Sequence, residues 1–579
     1  MAMPSGAGGR TARLAPSFLS DAVVGLGVLA VAYAAIRLGY EAASSPASVS
    51  TDPADLPYLA GRSLLRMFAA LALSLVFALV WAYAAARSRR VGRVLIPLLD
   101  VLQSLPVLGF LVVAVSGFTT VLPRSEWGLE AAAVFAIFSS QAWNMAFAFY
   151  QSLITLPREL DEMARDMGFT RWMRFWKVEL PSAAIGLVWN GMLSFAGGWF
   201  FLVAAEAATA AGGVHALPGV GSFAGAAVAA GDLGGVGWAV AATAATVVVV
   251  NFLFWRPLVA WAERFKVEQA EGATVQRSVV LDLLRRSRWP RLAGRALGLA
   301  RDMLERAGSH RPGAGRPGEC LRRGDGWQQN GHSGDTLINA AVCTSAGAAL
   351  AVLAVYLARH PAGPALLLEP LLLGAVTLVR VLVLVAVATL VWVPIGVAIG
   401  LSPRLTRIAQ PIVQVLASFP ADLLFPLATW LFLATGAGLD VGGAFLMALG
   451  AQWYILFNAI AGATAVPADL REAMDSLGVY GWRRWRRLVI PAVFPAYVTG
   501  GITASGGAWN ASIVAEVVTF GGTVVTATGL GAYVSQAADA GDHPRLVAGV
   551  LVMAFYVMAL NRLVWRRLYR LADRRYSLD

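Results

Sequence analysis

The sequence predicts an all-α polytopic membrane protein, with about twelve transmembrane helices in two parallel six-helix repeats. Three observations lead there: an apolar excess, a regular alternation of basic loops, and an internal duplication. Of 579 residues, 58% are hydrophobic and only 14% are charged. Soluble domains carry about 25% charged residues. Mean hydropathy is +0.64. A compact soluble protein could not hide this much apolar surface, which excludes an ordinary cytosolic enzyme.

Apolar stretches fall near 18–40, 63–86, 94–118, 129–152, 181–206 and 236–262. A second set falls near 338–357, 371–401, 408–434, 441–464, 491–518 and 545–565. The first stretch ends at Arg37 and Gly39 rather than at a small-residue cleavage site. It is read as a retained helix, not a signal peptide.

Arginines set the expected topology. Arg10 and Arg13 precede the first stretch, Arg87, Arg89, Arg90 and Arg93 follow the second, and Arg158 to Lys177 follow the fourth. The intervening loops differ: 41–57 is acidic, and 207–235 has no lysine or arginine. The second half repeats the pattern at Arg404 and Arg407, at Arg471 and Arg483 to Arg487, and in the tail from Arg562. Basic loops stay in the cytoplasm, so both termini are expected there. This placement also explains the net charge of +12 without nucleic acid.

Three regions follow: a first half at 1–265, a basic linker at 266–336, and a second half at 337–579. The early linker, with Leu283, Leu284, Arg285 and Arg286, reads as a basic amphipathic surface helix. Ser309 to Asp335 is rich in Gly, Arg and Pro and reads as a tether.

The halves match at an offset of 310 residues. Pro157, Glu162, Gly168, Trp172 and Pro181 recur as Pro467, Glu472, Gly478, Trp482 and Pro491. Gly197, Trp199 and Glu206 recur as Gly507, Trp509 and Glu516, and Gly219 and Gly221 as Gly529 and Gly531. Earlier in each half the offset is 314, pairing Arg66 and Pro106 with Arg380 and Pro420. Each half has an even number of expected spans, so the halves enter the membrane in the same sense. A path between them would lie on the pseudo-twofold axis.

The segments 157–181 and 467–491 carry the most information. In the first, Pro157 suits a helix start, and Glu159, Asp161 and Glu162 sit at the positive helix end. Gly168 permits the left-handed turn that stops the helix. Trp172 and Trp176 suit the headgroup layer, and Pro181 restarts a membrane helix. Each segment therefore predicts a short helix held at the cytoplasmic face between two spans.

These segments read EMARDMG…LP at 162–181 and EAMDSLG…IP at 472–491. They resemble the "EAA" loop of ABC importer permeases. SLLR at 63–66, LQSLP at 102–106, VAAE at 203–206 and GLG at 529–531 resemble the nitrate/sulfonate/taurine branch. The resemblance covers about 56–265 and 370–575. Met163 stands where that family usually has alanine. Family permeases usually carry one half per chain and pair; this chain resembles two halves fused.

The resemblance implies a type I importer fold and a defined assembly. Glu162, Ala164 and Gly168, with Glu472, Ala473 and Gly478, would dock on two copies of an ABC ATP-binding subunit. Those subunits would hold ATP and Mg²⁺, and a substrate-binding protein would deliver the solute. The localisation it implies is a bacterial inner membrane. Within this chain no catalytic, cofactor or metal site is expected. Its two lysines, Lys177 and Lys266, follow no glycine, so no GxxxxGK[ST] loop exists. The five histidines lack metal-ligand spacing.

Candidate pathway residues are Asn144, Asn190, Trp199, Glu206, Trp509, Asn510 and Glu516. Glu206 and Glu516 lie near the outer ends of their spans, where an acid is either functional or hydrogen-bonded to a helix end. Trp199 and Trp509 either line the axis or pack. Asn190 aligns with Gly500, Asn510 with Phe200, and Asn144 with Tyr454. A fused chain can thus place different groups on the two sides of one path. Arg66 and Arg380 are expected to snorkel to headgroups. The expected activity is ATP-driven import of a small polar anion of the nitrate, sulfonate, taurine or bicarbonate kind. The alternative is a self-sufficient secondary transporter or channel built from parallel repeats. It would need deep carboxylates, for which Asp21 and Asp100 are the candidates.

Overall fold

The computed structural model describes residues 51–103, 127–211, 217–265, 279–287, 365–436 and 438–575, with a few positions at 21–26 and 111–121. Among them, 8 helices are long and apolar enough to cross a membrane. The count reaches 9 if Pro403–Ser418 and Ala421–Phe432, bent by 78°, form one broken span. The expected spans at 338–357 and, but for three positions, 18–40 lie outside the described residues.

In the first half, α1 (Leu56–Arg87) follows a turn capped by Asp52, whose carboxylate accepts from the Ala54 amide at 2.9 Å. Then come α2 (Arg89–Gln103), α3 (Trp127–Ile154), the short α4 (Arg158–Asp166) and α5 (Leu180–Ala211). The half closes with α6 (Val220–Ala229) and α7 (Leu233–Val250), which continues to Ala262. An amphipathic α8 (Val279–Arg286) lies in the linker, where a surface helix is expected.

The second half repeats the order: α9 (Ala365–Gly400), α10 (Pro403–Ser418), α11 (Phe425–Thr435), α12 (Leu439–Thr464), the short α13 (Ala468–Ser476) and α14 (Ile490–Ala515). It ends with α15 (Leu530–Asp539), α16 (His543–Leu560) and α17 (Arg566–Arg575). The duplication extends to backbone irregularities. Single π-turns widen the helix at Phe175–Glu179 and Trp485–Val489, and again at Asn251–Trp255 and Asn561–Trp565. Insertions of this kind are uncommon, so their recurrence at the same offset marks a shared architecture.

The halves part company after their buried glutamates. Helix α5 continues past Glu206 to Ala211, whereas α14 stops before Glu516. The chain there forms an antiparallel hairpin, β1 (Val517–Phe520) with β2 (Thr523–Thr526). Gly521 and Gly522, at φ 56° and 77°, supply the two positive φ values of its tight turn. This hairpin departs from the all-helical expectation. The Gly521 amide donates to the Val228 carbonyl at 3.0 Å, tying the hairpin tip to the end of α6.

The chain divides into two compact units, one of residues 1–41, 155–188 and 250–333, the other of 42–154, 189–249 and 334–579. In the second, one core joins Ala133, Ala136 and Ala205 of the first half to Met447, Ile455, Val498 and Trp509 of the second. Small residues let backbones approach: a Cβ on Gly396 or Gly400 would stand 2.6 Å from the methyl of Ala459 or Ala463. Large aliphatic groups point away instead, with Leu372 65% and Leu390 76% exposed. That inversion suits a lipid surround, since lipid tails solvate leucine as well as a core does.

In the first unit, Arg174 pairs with Glu179 at 3.0 Å. The Lys177 ammonium stands 5.2 Å from the Phe169 ring centre.

Candidate functional site

The two short helices are built alike. Pro157 and Pro467 stand at the N-cap, one residue before the first helical turn. Gly168 and Gly478 adopt φ 67° and 66° and end the helices. In each, the residue after the glycine closes the end: Phe169 N–H donates to Ala164 O at 3.0 Å, and Val479 N–H to Met474 O at 2.9 Å. Glu162, Glu472 and Ala473 are exposed, while Ala164 is buried. Beside the stop glycines, Met167 is 62% and Leu477 76% exposed. Apolar tips on an otherwise polar helix are what a partner's pocket would cover. Arg484 braces α13 by pairing with Asp475 at 2.8 Å.

Two charge clusters, each built round a buried glutamate, form the second feature. Arg66 on α1 grips Glu130 on α3 with a two-pronged contact, both bonds 2.6 Å. Its remaining nitrogen reaches Glu206 on α5 at 2.6 Å and the Pro218 carbonyl at 2.9 Å. Glu206 also accepts from Ser63 Oγ at 2.8 Å and from the Gly221 amide at 2.8 Å. Ser63 in turn accepts from the Val220 amide at 3.0 Å. Glu206 thereby ties α5 to α1 and to the start of α6, and Arg66 brings in α3 through Glu130.

The second half builds a counterpart. Arg380 reaches Glu516 at 3.0 Å and Asp440 at 2.7 Å. Glu516 accepts from Thr377 Oγ1 at 2.9 Å and from the Gly531 amide at 2.7 Å, and Thr377 accepts from the Leu530 amide at 2.9 Å. The copies differ in wetness: Glu130 is 15% exposed, Asp440 63%. Arg62, which adds a 2.9 Å bond to Glu130, has Val376 at its aligned position.

Arg66 is therefore held inside the protein rather than snorkelling, at 3% exposure, while Arg380 joins the buried Glu516 to the exposed Asp440. A buried guanidinium survives in an apolar layer only with counter-charges and hydrogen bonds to them, and each cluster supplies two carboxylates. Glu206 and Glu516 each accept from a backbone amide in the first turn of the helix that follows, at Gly221 and Gly531. Sequence reasoning missed Glu130, Asp440, Ser63 and Thr377. The signal was present, because Ser63 and Thr377 align at the 314 offset and Glu130 and Asp440 at 310.

Trp199 and Trp509 are buried; Trp509 stacks on Tyr556 at 5.9 Å. Asn144 and Asn190 are half-buried, and Asn510 donates to the Gly506 carbonyl at 3.1 Å. Another unforeseen group is Asp422, 8% exposed at the break between α10 and α11. Asp21 accepts from Ser287 at 3.0 Å. The side chain of Asp100 lies outside the described residues.

A family model described as "Binding-protein-dependent transport system inner membrane component" matches twice, at 74–256 and 392–578. The chain belongs to that family. Both matched stretches contain a short helix with its stop glycine and a buried glutamate, so this permease carries the family's unit twice. It is 28% identical over 192 residues to the nitrate import permease protein NrtB of Leptolyngbya laminosa, covering 33% of this chain and 64% of the relative. To the taurine transport system permease protein TauC of Escherichia coli it is 27% identical over 197 residues, 34% of this chain and 68% of TauC. To the bicarbonate transport system permease protein CmpB of Synechococcus elongatus (strain ATCC 33912 / PCC 7942 / FACHB-805) it is 26% identical over 181 residues, 31% of this chain and 60% of CmpB. The matches thus span 60–68% of these relatives' lengths.

Proposed function

We propose that this single chain supplies both sides of the translocation path of an ATP-driven importer for a small polar anion, with nitrate, taurine and bicarbonate the first solutes to try. It works by alternating access in a bacterial inner membrane, with both termini cytoplasmic. Two copies of an ATP-binding subunit receive α4 and α13, and a substrate-binding protein meets the opposite face. The halves at 1–265 and 337–579 act as the two permease subunits of an ordinary assembly, and 266–336 joins them. ATP and Mg²⁺ belong to the partners.

The observation that carries this reading is the duplicated short helix with an exposed apolar tip, at Met167 and at Leu477. Closing two ATP-bound subunits would draw two such helices together. In the second half, α14 starts near α13 and ends at Glu516, so its length of about 39 Å could carry that movement across the bilayer. The charge clusters would make each outer helix end move as one body. Asn144, Asn190 and Asn510 are the polar groups we assign to the solute's route, and Trp199 and Trp509 support the helices that carry them.

The test is co-purification with an ATP-binding subunit, followed by ATP turnover with candidate anions and their binding protein. Turnover should rise with solute. Uptake driven by an ion gradient without nucleotide would instead favour the secondary-transporter reading. Asp422, a carboxylate buried in a broken helix, is the observation on that side.

A further inference from the structure

The repeat pairs Tyr454 with Asn144, and Gly197 with Gly507. Tyr454 touches both members of that glycine pair. A Cβ placed on Gly197 of α5 would stand 2.8 Å from the Tyr454 hydroxyl, and one on Gly507 of α14 would stand 3.5 Å from its ring. One phenol from α12 therefore spans the seam where equivalent points of the two halves meet. Both glycines leave it the room.

Next to it, between α5 of the first half and α10 and α12 of the second, lies a small pocket. Its polar groups are Gln414, Ser418 and Tyr454, and no acid or base lines it. Ser418 donates to the Gln414 carbonyl at 2.8 Å. The Gln414 amide rests on the Met192 sulfur, a weak acceptor. Among the described residues the Tyr454 hydroxyl has no hydrogen-bond partner, although an apolar layer makes an unmet donor costly. A group kept in that condition gains a partner when something with lone pairs arrives.

We propose that Tyr454 is the plug of the path between the halves and a specificity-determining residue for the solute. This rests on the transport reading above. In the closed state the ring fills the seam. On opening it swings aside, and its hydroxyl, with the Gln414 amide, hydrogen-bonds a small oxyanion in transit. Neutral donors suit this task, since a fixed cation would hold the anion too tightly to release it. The aligned Asn144 is too short to reach across, so closure belongs to one half alone.

The test uses the full chain in liposomes loaded with nitrate, without nucleotide or partner subunits, with efflux read by a nitrate-selective electrode. Tyr454→Ala should raise the leak at least tenfold. Tyr454→Phe, which keeps the ring, should stay sealed, as should Leu390→Ala on the lipid face. A sealed Tyr454→Ala would overturn the proposal. A second arm covers failure to fold. Gly197→Ala drives a methyl against the hydroxyl and should lower the melting temperature, and adding Tyr454→Phe should restore it. No rescue would place the hydroxyl elsewhere and sink the idea. Failure of the ATP-coupled assay with a positive leak would reject the import reading and leave the plug standing.

Discussion

Gly219 is placed so that a Cβ at its position would overlap the carboxylate of Glu206, and the same holds for Gly529 and Glu516. Neither glycine has an unusual backbone: φ is −175° and −177°. The requirement is purely spatial. The loop entering α6 or α15 must pass close enough for the carboxylate to accept the amide two residues on.

Gly219→Ala and Gly529→Ala should each cost about 1–3 kcal/mol, the usual penalty of forcing a methyl into a packed site. Thermal unfolding in detergent, followed by size-exclusion chromatography, measures this. Gly237→Ala is the control, because its added methyl meets nothing within 4 Å. Equal melting points for Gly219→Ala and Gly237→Ala would show that the carboxylate contact is loose.

Removing the guanidinium should expose the difference between the clusters. Arg66→Met strands Glu206, which is wholly buried, and should destabilise by about 3–5 kcal/mol. Arg380→Met should cost less, because Asp440 keeps solvent access. Adding Glu206→Gln to Arg66→Met should recover part of the loss. A larger effect at Arg380 than at Arg66 would contradict the burial argument.

At the short helices, Leu477→Asp should abolish co-purification with the ATP-binding subunit and leave the melting point of the permease alone unchanged. The side chain is 76% exposed and supports no internal packing. Gly478→Ala should instead cost about 1–2 kcal/mol, because its φ of 66° is left-handed. Retained binding by both Leu477→Asp and Met167→Asp would remove the docking role.

Close helix packing gives a fourth test. Gly396→Val should part α9 from α12, since even a methyl there meets Ala459 at 2.6 Å and the Leu456 carbonyl at 3.1 Å. The expected result is loss of the monodisperse peak and of uptake. Normal behaviour in both assays would mean that α9 is free to shift.

For the solute route, alanine at Asn144, Asn190 and Asn510 together should change the order of preference among nitrate, taurine and bicarbonate in uptake assays. An unchanged order with unchanged rates would take those residues off the path.

The apolar excess, the duplication and the two stop glycines were all legible from residue order, because each is a local or periodic signal. Helix α4 and helix α13 appear where Pro157, Gly168, Pro467 and Gly478 mark them. The hairpin was not anticipated, because only Val517 and Val518 fall in the apolar stretch 491–518 and no element is expected over the rest. Only the adjacent Gly521 and Gly522 hinted at a turn. Arg66 was misplaced because an arginine near a span end looks like a snorkelling residue. Its partners Glu130 and Glu206 lie 64 and 140 residues away.

Sequence by itself determined that this chain crosses the membrane many times, in two copies of one plan, with a short polar helix in each. Hydropathy, helix stops and repeats are all properties of neighbouring residues or of fixed intervals. Tertiary structure alone decided that Ser63, Arg66, Glu130 and Glu206 form one cluster, and that Tyr454 meets Gly197 and Gly507. Such meetings depend on how helices far apart in the chain cross, and the cost of burying a charge or a hydroxyl is set only once those neighbours arrive.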